Sequence, residues 1–124
     1  MRVKELLDQK GYDVYSVSPE TTVFEALQLM AEKEIGALVV LEDGKMVGIL
    51  SERDYARKVI LKGKASKETL VRDIMSSKVI HTDPDAKLEK CLGLMTKHRF
   101  RHLPVLEEDR LVGILSIEDV RSVT

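Results

Sequence analysis

Apolar positions along the chain fall at two spacings, and the spacings alternate. Val3, Leu6 and Leu7 stand at i, i+3, i+4 with Gly11 after them, which predicts a short opening helix with a glycine stop. Tyr12–Val17 alternates, is rich in β-prone residues, and ends at Pro19. Val23, Ala26, Leu27 and Met30 return to helical spacing. Thr22, with Glu25 three residues on, predicts a capping box at the start of that helix, and Gly36 predicts its stop. Ala37–Leu41 is almost unbroken apolar sequence, the mark of a strand covered on both faces. Glu42-Asp43-Gly44-Lys45 predicts a tight hairpin turn into a returning strand, Met46–Leu50. Ser51 then opens a helix whose buried side carries Tyr55, Val59 and Ile60.

The chain writes this pattern twice. From Pro19–Tyr55 to Pro84–Val120 the register is a constant 65 residues without a gap, and 14 of the 37 positions are identical. LVVLEDGKMVGILSERD at 38–54 returns as LPVLEEDRLVGILSIED at 103–119. The repeat predicts a strand Val79–His81, a helix Leu88–Lys97, a strand Leu103–Leu106, a turn Glu107–Asp109, a strand Leu111–Leu115 and a helix from Ser116. Each half then reads β-α-β-β-α, a mixed α+β class. Val71–Met75 is a short amphipathic turn, the counterpart of the opening helix, after a polar connection at Lys62–Lys67. The expected division is a first repeat over 8–67, preceded by the helix within 1–10, and a second over 71–124.

Composition narrows the function classes. A repeat of roughly 60 residues buries little apolar area alone, so the pair is expected to act as one module. Twenty basic against 21 acidic residues, a net charge of −1, lack the footprint of a general nucleic-acid binder. Two Phe, three Tyr and no Trp leave little for base stacking. The single Cys91 excludes an intrachain disulfide, and it takes the place of Ala26 on a buried helix face, which makes it a small core residue. The N-terminal stretch has no apolar core of signal-peptide length and no run is long enough to span a bilayer, so a soluble cytoplasmic protein is expected, with no membrane partner. His98 and His102 are spaced i, i+4 and His81 is a third imidazole, but the helix is expected to end near His98 and nothing completes a metal set. No serine has a positioned base, so no nucleophilic triad is read and no catalytic residue is assigned.

The tandem repeat, the VGILS strand running into S-x-x-D, and the VRDIM segment before the second copy resemble a CBS-domain pair, the Bateman module, of the small stand-alone type with a GILSERD sequence. The resemblance covers essentially the whole chain. It implies a pseudo-two-fold sandwich of the two repeats, two pairs joined as a flat homodimeric disc, and clefts between repeats for adenosine-containing ligands: AMP, ADP, ATP, in some members NAD or S-adenosylmethionine. It implies a sensor that relays a conformational change to a downstream protein, and no reaction. A protein-interaction scaffold with empty clefts is the alternative.

Within that resemblance, Ser51/Asp54 and Ser116/Asp119 are the first candidates. A carboxylate has two acceptor oxygens for the vicinal hydroxyls of a ribose. The same S-x-x-D spacing caps a helix, and one residue pair can do both. Arg101 and His102, just before the second LPVL strand, face adenine or phosphate in the family pattern, and a guanidinium fork suits phosphate oxygens. The first repeat carries Gly36 and Ala37 there, so its cleft is expected to be the weaker phosphate site and to use Arg53, which becomes Glu118 in the second repeat. The pattern also brings Val17 and Ser18 to the Asp119 cleft, and Ile80 and Thr82 to the Asp54 cleft. Val17 and Ile80 have equal claims as core residues and as contacts to adenine.

Overall fold

The computed structural model describes all 124 residues, Met1–Thr124. In chain order the elements are α1 (Val3–Lys10), β1 (Ser16–Val17), α2 (Val23–Lys33), β2 (Ala37–Glu42), β3 (Lys45–Ser51) and α3 (Glu52–Tyr55). A π-helical stretch, Ala56–Ile60, extends α3. There follow α4 (Val71–Ile74), α5 (Leu88–His98), β4 (His102–Glu107), β5 (Arg110–Ser116) and α6 (Ile117–Arg121). The mixed α+β class is as expected, and no helix is long and apolar enough to cross a membrane.

The chain divides into two compact units, and the division does not follow the repeats. One unit is contiguous, Tyr15–Val79; the other joins Met1–Val14 to Ile80–Thr124. The opening helix α1 thus belongs with the second repeat, and α4, which precedes the second repeat, belongs with the first. The backbone bonds are matched one for one. The Val3 N–H donates to the Ala86 carbonyl at 2.9 Å, as that of Val71 donates to Thr21 at 2.8 Å. The Lys4 N–H donates to Pro84 at 2.9 Å, as that of Arg72 donates to Pro19 at 3.0 Å.

In the contiguous unit β1 runs parallel to β2, which pairs antiparallel with β3. In the other unit β4 and β5 form an antiparallel hairpin. The four hairpin strands put buried Leu38, Val40 and Leu50, or Leu103, Val105 and Leu115, against helix residues such as Met30 or Met95. Both hairpins turn over two residues with positive φ, Asp43-Gly44 (54° and 78°) and Glu108-Asp109 (50° and 65°). That geometry matches the twist of paired strands and normally calls for glycine. Gly48 and Gly113 serve close approach instead. A Cβ on Gly113 would lie 2.8 Å from a Leu7 methyl, and one on Gly48 2.7 Å from the Met75 sulfur.

Four local expectations are corrected. The predicted strand Val79–His81 does not form; Thr82 makes a single parallel bridge to Val105, because only its N–H and carbonyl reach β4. Tyr12–Val17 contracts to the two residues that reach β2. Gly36 is not the stop of α2: Glu34 takes the left-handed cap at φ 55°, as Arg99 does after α5 at φ 59°. Ile60 is 56% exposed and leaves the buried side of its helix to Val59, because adjacent helix residues do not share a face.

Candidate functional site

Each hairpin ends where a short helix begins, and the same two side chains mark the junction in both units. Ser116 caps α6. Its N–H donates to Asp119 Oδ2 at 3.0 Å, while the Asp119 N–H donates to the Ser116 hydroxyl at 3.0 Å. Ser51 caps α3 likewise, with its N–H 2.9 Å from Asp54 Oδ2 and its hydroxyl accepting from the Asp54 N–H at 3.2 Å. Both S-x-x-D segments are therefore formed capping boxes.

The strand edge beside each box is fixed by pairing. His102 lies opposite Ser116, and the Arg101 carbonyl accepts from the Ile117 N–H at 2.8 Å. Ala37 lies opposite Ser51, and the Gly36 carbonyl accepts from the Glu52 N–H at 3.1 Å. Ser116, Asp119, Arg101 and His102 are thus gathered in one unit, and Ser51, Asp54, Arg53, Gly36 and Ala37 in the other. The Arg101 guanidinium pairs with Glu118. Glu118 titrates below its ordinary value, first through its own backbone N–H, against burial, and then through Arg101 and His102.

The remaining candidates are divided by unit. Val17 and Ser18 lie in the unit of Asp54, and Ile80 and Thr82 in the unit of Asp119. Val17 and Ile80 are half-buried against the core of their own unit. The Ser18 hydroxyl accepts from the Glu20 N–H at 3.2 Å, forming a turn. Thr82 is buried, and its hydroxyl accepts from the Cys91 thiol at 3.5 Å. Cys91 itself is buried in the core, and burial pushes its thiol up.

Two residues absent from the sequence reading complete the sites. Lys10, from α1, places its ammonium 3.4 Å from Asp119 Oδ2 and donates to the Ile114 carbonyl at 2.8 Å. Lys58 places its ammonium 3.2 Å from Asp54 Oδ1 and donates to the Ile74 carbonyl at 2.9 Å. The two lysines do not correspond in the repeat. Lys58 is a helix neighbour at i+4, visible in principle from its spacing. Lys10 lies more than a hundred residues from its aspartate, and nothing in the sequence ties them.

Burial acts to raise the Asp119 pKa and is the largest single influence. The Ser116 N–H and hydroxyl, and then the Lys10 ammonium, outweigh it, so the carboxyl titrates below its ordinary value. Each site thus offers a carboxylate in a first helical turn beside a lysine ammonium. The Ser116 and Lys10 contacts both fall on Asp119 Oδ2, so Oδ1 carries neither. At Asp54, Ser51 takes Oδ2 and Lys58 takes Oδ1.

The CBS domain family model matches residues 3–61 and again 71–123. The CBS domain-containing protein CBSX3, mitochondrial, of Arabidopsis thaliana is 42% identical over 106 residues, covering 82% of this chain and 52% of that protein. The chain thus spans about half the length of this relative. YhcV of Bacillus subtilis is 36% identical over 113 residues, covering 91% of this chain and 80% of that one. A solved signal-transduction protein with CBS domains from Burkholderia ambifaria superposes with a TM-score of 0.96 at 44% identity, over 98% of this chain and 92% of its own.

Proposed function

The chain belongs to the CBS-domain family, whose paired repeats act as regulatory, signal-transducing modules, and from that premise we propose that it binds adenosine-containing ligands at Asp119 and Asp54. The observation that supports this reading is the doubled constellation: in each unit a capping serine and a lysine ammonium each lie within 3.4 Å of a polar atom of the same aspartate. A ribose offers two hydroxyl hydrogens to the carboxylate. Its phosphate recruits the lysine, and at the Asp119 site Arg101 and His102 stand on the neighbouring strand edge.

Asp119 is the tighter site in this reading, because Oδ1 carries neither the Ser116 nor the Lys10 contact and because Gly36 and Ala37 bring no charge to the other. Binding shifts the molecule only by the difference in affinity between its two conformations. The step the ligand can drive is the release of Lys10, which loosens one tie between α1 and Asp119.

Thermal shift with AMP, ADP, ATP, NAD and S-adenosylmethionine side by side tests the reading. A ligand at a hundred times its Kd adds about 2.7 kcal/mol, a rise of several degrees in a domain of this size. Asp119→Ala is expected to abolish the larger shift and Asp54→Ala only a smaller one. A parent protein that no adenosine compound stabilises favours the scaffold reading, as do variants that respond like the parent.

A further inference from the structure

In the unit of Asp119 the strand edge meets the helix start through a charged pair that the capping box does not use. The Ile117 N–H donates to the Arg101 carbonyl at 2.8 Å, which sets Arg101 beside the first turn of α6. There its guanidinium pairs with the carboxylate of Glu118, the residue just before Asp119. Glu118 stays charged at neutral pH: its own backbone N–H, against burial, and then Arg101 and His102 hold it below its ordinary value. Both side chains of the pair are exposed, at 55% and 61%, so water screens their attraction and the pair opens readily. Asp119, by contrast, is engaged by Ser116 and Lys10 through Oδ2. The pair has no counterpart in the first repeat. The position 65 residues before Glu118 holds Arg53, and Gly36, without a side chain, stands where Arg101 does.

We propose that Glu118 sets how much phosphate charge the Asp119 site accepts, by holding the Arg101 guanidinium against the phosphate of the ligand. The inference rests on the reading that an adenosine compound binds at Asp119. A guanidinium fork fits a carboxylate and a phosphate in the same way, so the two compete for it. An unphosphorylated nucleoside leaves the pair closed. A monophosphate has to take Arg101 from Glu118, and the released carboxylate then stands beside the phosphate. Each further phosphate brings more charge of the same sign to that place, so the site favours a nucleoside monophosphate over a triphosphate. Arg101 supplies the attraction, and Glu118 supplies the discrimination through its repulsion of the more highly charged ligand.

Titration calorimetry of the full chain with adenosine, AMP and ATP in magnesium-free buffer is the test. Glu118→Gln keeps the shape of the side chain and lies outside the Ser116/Asp119 capping box, and circular dichroism checks the fold. It is expected to tighten AMP about threefold and ATP about tenfold, with adenosine unchanged, and about 0.5 M salt is expected to shrink both gains. In an Arg101→Ala background the AMP gain is expected to vanish, because there is no guanidinium left to compete for. Equal Kd values for the parent and Glu118→Gln overturn the inference. So do equal gains for adenosine and ATP, and so does an AMP gain that survives Arg101→Ala. Failure of the underlying site reading looks different: Asp119→Ala binds as tightly as the parent, or the parent binds no adenosine compound, and the role of Glu118 falls with it. Binding abolished by Asp119→Ala beside an unresponsive Glu118→Gln overturns the role of Glu118 alone.

Discussion

Leu7 and Gly113 meet inside the discontinuous unit, and substituting both in turn measures how tightly α1 is built into it. Leu7 is fully buried, one face of its side chain against the bare Cα of Gly113. Leu7→Ala removes that side chain from the core and leaves a cavity, at a cost of about 3–5 kcal/mol. Gly113→Ala puts a Cβ 2.8 Å and 3.0 Å from the two Leu7 methyls, closer than carbons approach in a packed core, and costs about 1–3 kcal/mol. The two losses share one cause. In the double variant the new Cβ enters the space the methyls have left, and the strand also exchanges glycine for a less flexible residue. The double variant is therefore more stable than the sum of the singles by about 1–3 kcal/mol. Urea unfolding of the four proteins gives the coupling directly. Amide exchange of Leu7→Ala places the damage, with protection lost in 80–124 and kept in 15–79. Costs that add within about 0.5 kcal/mol refute the packing of α1 on β5. Loss of protection confined to 15–79 refutes the assignment of α1 to its unit.

Other expectations follow from the same structure. The Asp119 carboxyl is held below its ordinary value when folded, so its contribution is present above the unfolded carboxylate pKa of about 3.9 and is lost as pH falls through the lower folded value. Asp119→Asn is expected to flatten that part of the acid limb when urea midpoints are followed from pH 5 to pH 2; an unchanged limb removes the Ser116 and Lys10 contacts from the account. Asp109 sits at φ 65° where the first hairpin has Gly44, so Asp109→Gly is expected to raise stability by about 0.5 kcal/mol, read as a small rise in Tm. Burial raises the Cys91 thiol, so the folded protein is expected to resist iodoacetamide at pH 8 and to react fully in urea. Rapid labelling of the native state contradicts a core position for Cys91.

What the sequence made legible was local. Ser51/Asp54 and Ser116/Asp119 were readable because a capping box closes within four residues and its spacing repeats. The two hairpins were readable because apolar runs flank a two-residue turn. Strand Val79–His81 was misread because β-prone composition does not supply a partner strand; Thr82 alone reaches β4. Gly36 was misread as a cap because glycine is the usual residue there, whereas Glu34 and Arg99 accept the left-handed conformation themselves. Lys10 was invisible because its meeting with Asp119 depends on α1 packing on the far end of the chain.

That packing has a consequence for synthesis. The contiguous unit has all of its residues once Val79 has left the ribosome, and it can close early. Helix α1 emerges before that unit, yet the hairpin it covers is translated after it, so Val3, Leu6 and Leu7 wait with their apolar face uncovered. The nascent chain thus closes the contiguous unit before the helix that precedes it finds its place, and that waiting helix is where a chaperone has something to hold.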